Sequence, residues 1–113
     1  MDRAQLLAAM EAAAVPKPQP LDVPAWGGTV YVRSLTVAEV EEQTGDKADK
    51  HRLARAAARV VCDADGNRLF DSTSEADIAL ISRQPWAVLQ RVLDAADKAN
   101  GASADAVEQA GNG

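Results

Sequence analysis

Apolar and polar positions alternate with a period of two in Leu21-Asp22-Val23 and again in Val30-Tyr31-Val32-Arg33, on either side of Gly27-Gly28. Adjacent glycines between two alternating runs predict a hairpin closed by a two-residue type I′ or II′ turn, because glycine accepts positive φ at both turn positions without steric cost. In that register Trp26 opposes Thr29, Ala25 opposes Val30, Pro24 opposes Tyr31, Val23 opposes Val32 and Asp22 opposes Arg33. One face gathers Leu21, Val23, Ala25, Val30 and Val32. The other pairs Asp22 with Arg33 and sets Trp26 beside Thr29. Pro24 has no N–H to give to a ladder, so the first strand belongs at a sheet edge, which is also a place for a partner to bind.

Elsewhere the period is helical. Asp2 to Ala14 predicts a short helix with Leu6, Leu7, Met10, Ala13 and Ala14 on one side. Pro16, Pro18 and Pro20 stop it and favour an extended tether. A lone helix of about 13 residues is marginal in water, so this arm is expected to order by docking. After the hairpin, Thr36 and Glu39 form a capping box ahead of a helix that carries Val37 and Val40 and ends near Gly45.

From Asp46 to Cys62 a longer helix is expected to turn Leu53, Ala56, Ala57, Val60 and Val61 toward the core. Asp63 to Asn67 reads as a turn, and Arg68-Leu69-Phe70 as a brief extended piece that tucks Leu69 or Phe70 inward. Ser72 or Ser74 caps the next helix, whose Ile78 and Ile81, with Leu80 as a further candidate, face the core. Pro85 suits the first turn of a final helix that presents Trp86, Leu89, Val92, Leu93 and Ala96 and stops at Asn100-Gly101. Three regions follow: an N-terminal helix and tether over 1–20, a globular domain over 21–101, and a disordered tail over 102–113. The fold class is α+β, predominantly α-helical, with an N-terminal hairpin packed on a small bundle of about four helices.

Composition then limits the core. Hydrophobic residues make up 47% of the 113, but aromatics only 4%, so few large side chains are available for burial and stability is expected to gain from association. A net charge of −5 weighs against nonspecific binding to nucleic acid or anionic membrane. Glu11 interrupts the N-terminal apolar positions before any secretory signal or membrane span develops. Cys62 stands alone, so an intrachain disulfide is excluded and a reducing compartment is the simplest setting.

Candidate chemistry is sparse. On a common helix His51 and Cys62 would lie about 16 Å apart along the axis, too far for a dyad. Asp63, Asp65, Asn67 and Asp71 suggest a calcium loop, yet Gly66 falls at the fourth position and Ser74 at the twelfth, where an EF-hand wants glycine sixth and glutamate last. No catalytic, cofactor or metal site is expected. Arg52, Arg55 and Arg59 form a basic face opposite the apolar stripe, with Lys47 and Lys50 one turn earlier, suited to an acidic protein surface better than to DNA.

The order of short helix, proline tether, Val-Pro-Ala-Trp-Gly-Gly-Thr-Val-Tyr-Val-Arg hairpin (23–33) and Ser34-Leu35-Thr36-Val37-Ala38-Glu39 helix start resembles the tail assembly chaperones of long non-contractile-tailed bacteriophages and prophages. So does the run from Ala58 to Phe70, in which a helix enters an Asp-rich glycine turn and an apolar pair; the resemblance spans about residues 16 to 100. It implies a protein of the host bacterial cytoplasm that is missing from the mature virion, acts without ATP, binds and solubilises the tape measure protein, and helps recruit tail tube subunits, the major tail protein. It leaves room for self-association and for a longer frameshifted product. No motif of that family fixes a binding residue, so Leu6, Leu7, Met10, Trp26, Tyr31, Arg52, Arg55 and Arg59 are partner-binding candidates on physical grounds alone. Other readings are a structural virion component, such as a tail terminator or connector, and a small DNA-binding regulator built on the 46–62 helix.

Overall fold

The computed structural model describes every residue but Pro16, Lys47 and Gly113, and from Ala102 onward the backbone alone. The elements run α1 (Arg3–Ala14), β1 (Gln19–Val23), β2 (Gly28–Val32), α2 (Val37–Gly45), α3 (Arg52–Val60), β3 (Val61–Cys62), α4 (Glu75–Ser82) and α5 (Trp86–Asn112). The fold is therefore α+β and mostly helical. Its sheet is antiparallel in the order β1-β2-β3, which puts β1 at an edge as expected, although Pro24, on which that expectation rests, lies just beyond the strand.

The hairpin closes differently from the two-residue turn. Leu21 pairs with Val30, Asp22 with Thr29 and Val23 with Gly28, so Pro24 to Gly27 form the connection. Pro24–Trp26 make one turn of 3-10 helix, where proline at the first position loses nothing for want of an N–H. Gly27 takes φ 84 and is the only glycine of the pair in the left-handed region. The register differs from the expected one by four residues. Because side chains alternate with a period of two, an even shift leaves Leu21, Val23, Val30 and Val32 on one face. The Asp22–Arg33 and Trp26–Thr29 pairs are not formed, and Ala25 leaves the strand.

That apolar face is covered by α5. Val23, Val32, Val60, Val61, Val92 and Ala96 form one buried cluster, against which Leu21, Trp26, Val30, Phe70 and Val88 pack. A second cluster joins α3 to α4 and α5 through Ala54, Ala57, Ala58, Ile78, Ile81 and Leu89. Ala57, Val60 and Val61 of the expected stripe are buried, but small alanines let the helices approach closely, so Ala54 and Ala58 join them and Leu53 is left 44% exposed.

The 46–62 helix is also shorter than expected. Asp49 accepts a hydrogen bond from the His51 N–H at 2.8 Å, a local turn that competes with helical pairing and delays α3 to Arg52. At the far end the β-branched Val61 leaves the helix in an extended conformation, and β3 pairs Val61 with Val32 and Cys62 with Tyr31.

Local signals elsewhere agree with the fold. The Thr36/Glu39 capping box opens α2, Ser74 caps α4, and Gly66 takes φ 88 in the Asp63–Asn67 turn. Phe70 is tucked inward, while Leu69 (56%), Leu80 (46%) and Trp86 (55%) are exposed. α5 does not stop at Asn100-Gly101: Asn100 turns toward the body and accepts a 2.7 Å hydrogen bond from the Leu35 N–H, and the helix continues. The expected disorder of 102–113 lies outside the described side chains.

Candidate partner-binding surface

The N-terminal candidates lie on α1. Asp2 caps this helix by accepting from the Gln5 N–H at 2.8 Å, and the Gln5 side chain accepts from the Asp2 N–H to complete a capping box. No residue of α1 is buried; Leu6 is 48%, Leu7 43% and Met10 58% exposed. Val15 leaves the helix in an extended conformation toward β1. The result is an apolar arm beside a folded body.

The two aromatic candidates do not share a face. Trp26 packs on the first core cluster and donates from Nε1 to Gln84 Oε1 at 2.9 Å, tying the hairpin connection to the α4–α5 junction. Tyr31 points to the other side of the sheet, between Pro20 and Cys62 in the ladder, and is half-buried. A shallow apolar slot of about 270 Å³ opens beside Trp26, walled by Leu69, Phe70 and Leu80.

The basic face is largely used up inside the molecule. Arg59 is 3% exposed; its Nε donates to Glu42 at 3.1 Å and its Nη2 to Asp46 at 2.6 Å. Arg55 donates from Nε to Asp49 at 2.6 Å and from Nη1 to the Ser72 carbonyl at 2.6 Å. Only Arg52 of the three is exposed. Arg59 can lie inward because Glu42 and Asp46 both reach it, and a helical wheel drawn from sequence does not contain those partners.

A second ionic cluster went unrecognised in the sequence. Arg33, 7% exposed, forks onto Glu39 through Nη1 at 3.0 Å and Nη2 at 2.6 Å, and Arg68 reaches the same carboxylate through Nε at 3.0 Å and through Nη2. Burial by itself would raise the Glu39 pKa, but hydrogen bonds from Arg33, the Thr36 amide and Arg68 outweigh it and hold the carboxyl at about 2, against an ordinary 4.5. Cys62 beneath this cluster is fully buried, and burial pushes its thiol pKa up. A thiol so placed is a packing group.

Other reactive types do not converge. Ser82 Oγ lies 3.4 Å from His51 Nδ1, but the nearby Asp49 carboxylate is engaged by the His51 backbone N–H and by Arg55. The Asp63 carboxylate is spent on the amides of Asp65 and Asn67, which hold it below the usual carboxylate range, the Asn67 amide most strongly. Among the described residues no group of three or more His, Cys, Asp or Glu could hold a metal ion, and no helix is long and apolar enough to cross a membrane.

Two exposed apolar residues were missed because their periodicity fits a core. Leu53 and Trp86 border one hollow between the starts of α3 and α5. With Val37 at 76% and Val40 at 49% exposed, they add to the apolar surface outside α1. The chain matches no protein-family model, no curated protein and no solved structure.

Proposed function

We propose that this protein is a phage tail assembly chaperone, which binds the tape measure protein without ATP, shields its apolar helices in the host cytoplasm, and helps bring tail tube subunits to it. One observation carries the reading: α1 has no buried residue and presents Leu6, Leu7 and Met10 beside a folded body. Exposed apolar side chains on a tethered helix are suited to groove or helix docking, in which a few anchors at helical spacing supply the affinity. The remaining surface is compatible with weak, repeated contacts, since Leu53, Trp86 and Leu69 are exposed on the body.

The contacts belong to the arm and to these apolar residues in preference to Arg55 and Arg59, whose guanidinium groups are already committed. The test is co-expression with a tape measure protein, followed by affinity purification and by mass spectrometry of purified particles. The chain should co-purify with the tape measure protein, lose it when Leu6, Leu7 and Met10 are changed together to serine, and be missing from the particles. Retention in stoichiometric amount within particles would refute the chaperone role.

A further inference from the structure

The start of α3, the end of α4 and the start of α5 surround a hollow of about 360 Å³. Leu53, Ala54 and Leu89 supply its apolar lining, and Lys50, His51, Ser82 and Trp86 supply the polar atoms around it. We propose that this hollow binds an acidic segment of a partner protein: an apolar side chain seats on Leu53 and Leu89, and a neighbouring carboxylate is held by Lys50, His51 and the Trp86 indole N–H. The inference deepens the chaperone reading, on which it rests for the identity of the partner, by giving the chemistry of the segment that the body takes.

The polar lining consists of donors without a matching acceptor. No carboxylate lines the hollow. The neighbouring Asp49 is committed to Arg55 and to the His51 amide. Among the described residues Lys50 makes no ion pair, and neither do Arg52 and Arg83, which flank His51 and Ser82 in the chain and are exposed. Arg33, Arg55, Arg59 and Arg68, by contrast, each hold a carboxylate. The two tryptophans differ in the same way. Trp26 donates from Nε1 to Gln84 Oε1 at 2.9 Å, whereas Trp86 Nε1 has no such partner among the described residues. Gln84 spends its other end on the Leu80 carbonyl, so its amide does not serve the hollow. Ser82 Oγ lies 3.4 Å from His51 Nδ1; with the hydroxyl donating there, Nε2 carries the ring proton and is a further donor. A cation and several donors with no acceptor among them select a carboxylate, because charge-assisted hydrogen bonds are the strong ones.

The apolar part selects a protein segment over a small anion. Trp86 is 55% and Leu53 44% exposed, and a large aromatic beside an aliphatic residue is a favourable anchor for a partner side chain. Leu53 also borders a second hollow of about 330 Å³ between α2 and α3, where Val40 is 49% exposed and Arg52 is a lining residue. A segment laid across Leu53 therefore meets apolar surface and an unpaired cation on both sides. Both hollows are shallow, so a small molecule in either would stay largely in water, whereas ligand pockets bury most of their guest.

Nuclear magnetic resonance titration of the intact chain tests this, with two synthetic amphipathic peptides that share an apolar face and carry either glutamate or glutamine at the polar positions, residues of similar helix propensity. The glutamate peptide should shift the Trp86 indole N–H signal, assigned through Trp86→Phe, well beyond that of Trp26. It should bind roughly tenfold or more tightly than the glutamine peptide, and Lys50→Glu/Arg52→Glu, at exposed positions, should remove most of that advantage. Arg91→Glu, in the separate groove between β1 and α5, should not. Equal binding of the two peptides, a Trp86 signal that stays in place, or an equal loss from Arg91→Glu would each overturn the proposal. Peptides that behave as stated, with no capture of a tape measure protein, would strike the chaperone role alone.

Discussion

Glu39 joins three distant parts of the chain: Arg33 at the exit of β2, its own position in the first turn of α2, and Arg68 beyond β3. Removing one partner of a buried pair leaves the other charge uncompensated, so Glu39→Gln should destabilise the fold by about 3 kcal/mol, read from the urea midpoint at unchanged slope. The pH dependence has a definite sign. A folded-state pKa of about 2, below the ordinary 4.5, means Glu39 contributes stability above pH 4.5 and that this contribution is lost as pH falls through about 2. Urea midpoints across that window should fall for the native protein and fall less steeply for Glu39→Gln. Similarly, Arg59→Ala should cost about 3 kcal/mol, while Arg52→Ala at the exposed position should stay within about 0.5 kcal/mol. Equal effects on stability would contradict the inward placement of Arg59. The Thr36/Glu39 box was legible because its partners are three residues apart; the Arg68–Glu39 pair spans twenty-nine, and no local rule encodes it.

At the level of elements, the hairpin shows which information a sequence pattern holds. Period-two alternation fixes the buried face, because any even change of register keeps Leu21, Val23, Val30 and Val32 together. It does not fix the connection. Pro24-Ala25-Trp26 continue the alternation and disguise a 3-10 turn as strand. The two glycines are consequently unequal: Gly27 has φ 84, whereas Gly28 lies in β2 outside the left-handed region. Gly27→Ala should cost about 1 kcal/mol and Gly28→Ala a few tenths, measured by thermal or urea unfolding. Similar losses at both would favour the two-residue turn instead. α3 carries the same lesson in another form. Ala54 and Ala58 enter the interface beside the expected Ala57 because close helix packing selects small groups, a preference that hydrophobic periodicity weighted toward Leu53 misses.

For the whole molecule, the separation of arm from body is the feature on which the proposed chaperone role rests. Prolines at 16, 18 and 20 made the arm legible in the sequence, and Leu6, Leu7 and Met10 are exposed as a docking helix requires. Leu53 and Trp86 were not legible, since an exposed apolar residue at helical spacing cannot be told from a core one without the neighbouring elements. Because no residue of α1 is buried, deleting residues 2–15 should change the unfolding free energy of the body by no more than about 0.5 kcal/mol in dilute solution. The most direct measurement is light scattering from a tape measure protein refolding out of denaturant, with the intact chain or the 2–15 deletion added. The account predicts that the intact chain suppresses aggregation and that the deletion variant, though folded, does not; equal suppression by both, or none by either, would contradict it.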